Sequence, residues 1–120
     1  MDMVVHYVSK SEIQLLNYLN IPNTKENRQV RILQNKVDGY NPITNTIYEF
    51  LGDYWHGNPL KYKSNDIHPE SKITFGELYN KTMKKFQILK ENGYSVKYIW
   101  EIDWKNWLKN KIGEIPLKEY

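Results

Sequence analysis

Asp38, Glu49 and His56 are residues of types that can do chemistry together, and the chain between them is built to bring them close. The two acids lie in β-prone runs, 36–40 and 46–51, separated by Asn41-Pro42-Ile43-Thr44-Asn45, whose Asn, Pro and Thr supply turn chemistry. A hairpin made of these runs carries one carboxylate on each strand. An acid facing solvent is the ordinary reading of either one. Yet Asp is depleted in strands, Asp38 alternates with Val37, and Glu49 stands among Ile47, Tyr48, Phe50 and Leu51, so a shared site explains the pair better than two unrelated surface acids. Oxygen donors in this arrangement suit a hard divalent cation, Mg²⁺ with Mn²⁺ as a substitute, which polarises a phosphoryl oxygen and lowers the pKa of an attacking water. His56 follows in Gly52-Asp53-Tyr54-Trp55-His56-Gly57, where the glycines let the backbone turn tightly or approach a ligand, and imidazole passes protons near neutral pH. His6 and His68 have no comparable setting, and with three histidines and no cysteine a structural zinc site is not expected.

The elements that must position these groups can be read from caps and periodicity. Ser9-Lys10-Ser11-Glu12 fits a capping box opening a helix with Ile13, Leu15, Leu16 and Leu19 at near-helical spacing, closed by Pro22. Glu12 is then a cap, a member of the site, or both. Gln29 to Leu33 alternates as a strand, and Gln34-Asn35 makes a tight turn into 36–40, giving three consecutive antiparallel strands. Gly52 to Ile73 lacks periodicity and exceeds the ~12 to 15 residues of an ordinary structureless loop, which points to a functional segment. Thr74-Phe75-Gly76-Glu77 is a second capping box. Its helix carries Phe75, Leu78, Tyr79, Thr82, Phe86 and Leu89 on one face and Lys81, Lys84, Lys85 and Lys90 on the other. Those lysines read most simply as a solvated face; on a nuclease, Lys81, Lys84 and Lys85 would lie beside DNA phosphates. Asn92-Gly93 stops this helix, Ser95 to Trp100 is a buried strand reached by the helical crossover, and a last amphipathic segment runs from Trp104 to Lys111. The order α-β-β-β-α-β with a trailing α predicts an α/β fold with a mixed sheet.

The 120 residues suit one domain, 1–120, with a single core. A hydrophobic share of 40% and an aromatic share of 14% exclude a disordered chain and leave rings for core or for base stacking. Net charge +3 permits a polyanionic partner without demanding one. The opening Met-Asp-Met-Val-Val-His-Tyr-Val is too short and polar for a signal peptide, and no apolar run approaches the ~20 residues of a membrane span. The expectation is a soluble intracellular protein of cytoplasm or nucleus, with no membrane association.

The element order, with acids on the second and third strands, resembles the PD-(D/E)XK restriction-endonuclease-like core. Glu49-Phe50-Leu51-Gly52-Asp53-Tyr54-Trp55-His56-Gly57 is similar to the strand-to-loop motif of the very-short-patch repair endonucleases and related homing endonucleases, and Gly93 to Glu101 resembles the last core strand of that family. The likeness runs from about Ser9 to Trp104. It implies a Mg²⁺-dependent endodeoxyribonuclease with DNA as partner, Asp38 as the principal metal-binding acid, Glu49 and Phe50 beside it at the metal, Glu12 as the first-helix acid and His56 as the histidine assisting proton transfer. Where the core family has lysine this chain has Leu51, so a lysine of the second helix such as Lys81 or Lys85, or His56 itself, is expected to take that role. Repair members carry a histidine at the Leu51 position and a cysteine at the Asp53 position, so a homing-type or other DNA nuclease fits better than mismatch repair. A homodimer is left open. The rival readings are a DNA-binding module of the same fold without chemistry, and a protein-interaction domain whose aromatics are core and whose acids are solvated.

Overall fold

The computed structural model describes residues 8–120; His6 and the opening segment lie outside the described residues. Helix α1 (Lys10–Tyr18) starts where the Ser9 hydroxyl accepts from the Glu12 N–H at 3.1 Å. Only this half of the expected capping box forms, because the Glu12 carboxyl is engaged elsewhere. The helix ends before Pro22: Asn20 adopts the left-handed conformation (φ 58°) and the Ile21 N–H bonds the Leu16 carbonyl at 3.0 Å, a Schellman stop.

Strands β1 (Arg28–Ile32), β2 (Asn35–Asn41) and β3 (Thr46–Leu51) form the antiparallel meander. The first turn is Leu33-Gln34 rather than Gln34-Asn35, with φ of 49° and 65°, the pair of positive φ values that a two-residue hairpin of native twist requires. At the second turn the Asn41 side chain accepts from the Ile43 and Thr44 N–H groups. Helix α2 (Phe75–Glu91), capped by Thr74, crosses over to β4 (Ser95–Trp100), which pairs parallel with β3 from Thr46–Ser95 to Leu51–Trp100. Helix α3 (Glu101–Asn110) follows directly, three residues earlier than the aromatic spacing suggested, and a short unanticipated strand β5 (Lys118–Glu119) closes a five-stranded mixed sheet in the order β1-β2-β3-β4-β5.

Alternation sorts the sheet residues into two layers. Ile47, Leu51, Val96 and Trp100 meet Phe86 and Leu89 of α2. Phe50 and Ile99 meet Leu15 of α1 and Trp104 of α3. At Gly39 α1 comes so close to β2 that an added Cβ would stand 2.7 Å from a Leu16 methyl, which would have to shift. Among the described residues no helix is long and apolar enough to cross a membrane.

The 52–73 segment is not structureless. It folds over a nucleus of its own in which Asp53, Asn58 and His68 are all buried, and an antiparallel bridge of Ile67 with Thr74 ties its end to the start of α2.

Candidate active site

The site begins where two strands part. Pairing of β2 with β3 runs through Asn41–Thr46, Tyr40–Ile47 and Gly39–Tyr48 and goes no further. Beyond that point β2 stays with β1 and β3 with β4. The backbone groups left at the fork still need partners, since a buried N–H without one costs about as much as a lost hydrogen bond. The two predicted acids supply them: the Asp38 N–H donates to Glu49 Oε2 at 2.9 Å, and the Phe50 N–H donates to Asp38 Oδ2 at 2.8 Å. Asp38 and Glu49 are thereby locked to each other's strand.

The opening lets groups from both helical layers reach the same point. From α1, the buried Glu12 lies beside Asp38 and accepts from Gln29 Nε2 at 2.5 Å. From α2, the Lys85 ammonium donates to Glu49 Oε1 and to the Lys36 carbonyl, the latter at 2.8 Å, so it bridges the two arms of the fork. Lys85 therefore does not share the solvated face expected for it with Lys81 and Lys84, which are exposed. Of the second-helix lysines expected near the acids, Lys85 is the one that reaches Glu49.

His56 reaches the site from the loop. Its Nδ1 is 2.9 Å from Thr82 Oγ1 of α2, and its backbone N–H closes a turn on the Gly52 carbonyl at 3.1 Å. Gly57 is needed for this turn: its φ is 63°, and a Cβ there would lie 2.1 Å from the Phe75 carbonyl oxygen. Gly52, the other bracketing glycine, has an ordinary φ and only a 3.9 Å neighbour, so nothing in the backbone demands it. Glu12, Phe50, His56 and Glu101 line an open cleft of about 550 Å³, with Trp55 standing 58% exposed at its mouth.

The electrostatics are those of like charges crowded out of water. Burial and the Glu49 charge push Glu12 up to about 7, against hydrogen bonds with Asp38 and Gln29 that lower it. Asp38 is raised well above its usual range by burial and by the charges of Glu49 and Glu12. His56 is lowered by burial, with Lys85 acting the same way and Glu49 opposing.

Comparison with known proteins returns no relative. No family model, curated protein or solved structure matches the chain.

The geometry thus brings Glu12, Asp38, Glu49 and His56 together and adds Lys85, Gln29 and Thr82. Phe50 contributes its N–H, and its side chain is committed to the apolar layer, so any metal contact from it would be through the main chain. No three His or acidic side chains among the described residues already stand as a ligand set, and both Glu49 oxygens have protein partners. A signal for Lys85 was present in the sequence: Leu78, Thr82, Lys85 and Leu89 follow the i, i+4, i+7, i+11 spacing of one helix face, on which Thr82 and Leu89 are buried. Nothing in the local pattern marks Gln29, whose left-handed φ of 53° inside a strand is the sort of outlier that collects at functional sites.

Proposed function

We propose that the chain is a metal-dependent DNA endonuclease, homing-type or repair-type, that hydrolyses phosphodiester bonds at the strand fork. The observation that carries this reading is the meeting of three carboxyl groups and one lysine where β2 and β3 separate, beside an open cleft. Capping the fork's backbone accounts for Asp38 and Glu49 but not for Glu12 beside them, and burial with the neighbouring charges makes Glu12 and Asp38 costly to ionise. A hard divalent cation relieves that repulsion and takes oxygen donors of this type, so the residues fit Mg²⁺ or Mn²⁺ by charge and by chemistry. Asp38 and Glu49 would hold it, with Glu12 next to them. When bound, the ion supplies Lewis-acid polarisation of the phosphoryl oxygen and a more acidic water.

The chain's own residues have separable tasks. Lys85 neutralises Glu49 and places a fixed positive charge where a phosphoryl group would gain negative charge in the transition state. His56 handles a proton at the cleft wall. Trp55 offers an exposed ring on which a base can stack, and Lys81 and Lys84 meet the backbone of bound DNA.

The test is nicking of supercoiled plasmid with Mg²⁺, with Mn²⁺ and with EDTA, run beside Asp38→Ala. Cleavage that needs the cation and Asp38 supports the reading. DNA retention in a gel shift with EDTA but no cleavage under any condition would make the chain a binding module, and loss of both would remove DNA as its partner.

A further inference from the structure

Thr82 is nine-tenths buried in α2 and has one hydroxyl proton to give. That proton goes to the Leu78 carbonyl four residues earlier, at 3.1 Å, the back-bond that helical threonines commonly make. With it committed, Oγ1 has only lone pairs left for its 2.9 Å contact with His56 Nδ1, so the hydrogen in that contact belongs to the imidazole. We infer that Thr82 is a positioning residue that holds His56 as the Nδ1–H tautomer and leaves the Nε2 lone pair for the cleft, making His56 a base and not an acid in the first proton transfer.

The groups around the ring agree. Glu49 of β3 draws His56 toward the charged form, while burial and the Lys85 ammonium of α2 hold it neutral, and Glu12 of α1 and Glu101 of α3 face the same cleft. A neutral imidazole has one donor and one acceptor nitrogen, and the bond made by one decides the role of the other. In hydrolysis the water oxygen bonds to phosphorus, one ester P–O bond breaks, the water proton passes to Nε2, and the departing alkoxide takes a proton from solvent. The catalytic half of this inference rests on the nuclease reading; the tautomer does not.

The experiment measures the His56 ring ¹⁵N shifts and their long-range proton couplings in the full chain at pH 8, and repeats them in Thr82→Val and Thr82→Ser. The wild-type ring is expected to be Nδ1–H. Thr82→Val should move it toward Nε2–H and slow single-turnover cleavage roughly 10- to 100-fold with DNA affinity unchanged, whereas Thr82→Ser keeps both the tautomer and the rate. An Nε2–H or charged wild-type ring overturns the inference, and so does a Thr82→Val protein with unchanged tautomer and rate. If Thr82→Val does not fold, the wild-type spectrum decides by itself. If the wild type shows Nδ1–H yet cleaves nothing, the nuclease reading fails while the tautomer stands.

Discussion

The strand fork and the long loop after β3 both take ionisable groups out of water, on opposite terms. In the loop the polar groups have partners of complementary kind: Asp53 Oδ1 accepts from Asn58 Nδ2 at 2.9 Å, Asn58 Oδ1 accepts from the Leu60 N–H at 3.1 Å, and His68 Nδ1 accepts from the Ser71 N–H at 3.0 Å. His68 Nε2 is the exception, packed among rings whose centroids lie 4.2 Å (Tyr54) and 4.9 Å (Trp55) from its own. At the fork three carboxyls lie together, only Glu49 is paired with the Lys85 ammonium, and Glu12 and Asp38 ionise reluctantly. Paired polar groups fix a conformation. Groups kept in conflict keep their capacity for a ligand, and that capacity is what chemistry uses.

Substitution separates the two kinds of burial. Asp38→Asn should reduce cleavage by about three orders of magnitude or more, since a metal-binding acid carries the ion's Lewis-acid and water-activating effects together. Its melting temperature should hold or rise, because one of three repelling charges is gone. Asn58→Ala should do the reverse. It strips a hydrogen-bond donor from buried Asp53 and should lower stability by about 2 to 3 kcal/mol, with cleavage per folded molecule unchanged. Plasmid nicking and thermal denaturation read both variants; an Asn58→Ala protein that is stable but inactive would erase the distinction.

The same contrast explains what could be read in advance. The elements announced themselves locally: Ser9 and Thr74 cap their helices, and β3 and β4 span the residues that their composition marked. Asp38, Glu49 and His56 stood out because acids among strand hydrophobics, and a histidine between glycines, conflict with their surroundings. The loop's nucleus was not legible. His68 looked ordinary, yet it is fully buried, and its partners are set by a fold-back of the chain rather than by any period. Lys85 was hidden by its company, three other lysines on one helix, although its place on the 78-82-85-89 stripe set it apart. Gln29 depends on where β1 ends up relative to α1, which no short-range pattern encodes.

Acidity sharpens the comparison further. A carboxyl whose folded pKa exceeds its unfolded value binds more protons when folded, so the stability it provides is complete below the unfolded value and is lost as pH rises through the folded one. For Glu12 that window runs from 4.5 to about 7. The loss is about 3 kcal/mol on the scale of 1.36 kcal/mol per unit. Asp38 acts in the same direction. His56, held below 6.5, acts oppositely: its contribution is present above that value and declines on acidification through its folded pKa. Denaturant unfolding without metal should therefore show stability falling from pH 5 to 8, and Glu12→Gln should remove much of the fall. Millimolar Mg²⁺ should restore stability at pH 8 and have little effect at pH 5, where protons occupy the acids. A flat profile, with or without Mg²⁺, would mean that the fork is not the strained cluster described above.

The smallest expected effect compares lysines of a single helix. Lys81 and Lys84 are exposed on α2, whereas Lys85 turns inward to Glu49 and the Lys36 carbonyl. A lysine that meets a DNA phosphate releases condensed counterions, so its loss flattens the dependence of log affinity on log salt by roughly 0.9 per contact. Lys81→Ala with Lys84→Ala should therefore weaken binding alike across sequences and reduce the slope by about two units at most, with single-turnover cleavage of bound DNA unaltered. Lys85→Ala should leave the slope alone, because its charge is already spent on a carboxylate, and should slow the bound-state cleavage. Filter binding at several salt concentrations, paired with single-turnover rates, tells the two behaviours apart. If Lys85→Ala changes the slope as much as the exposed pair does, Lys85 leaves Glu49 to meet a phosphate when DNA binds, and the ion pair across the fork is a resting arrangement that substrate displaces.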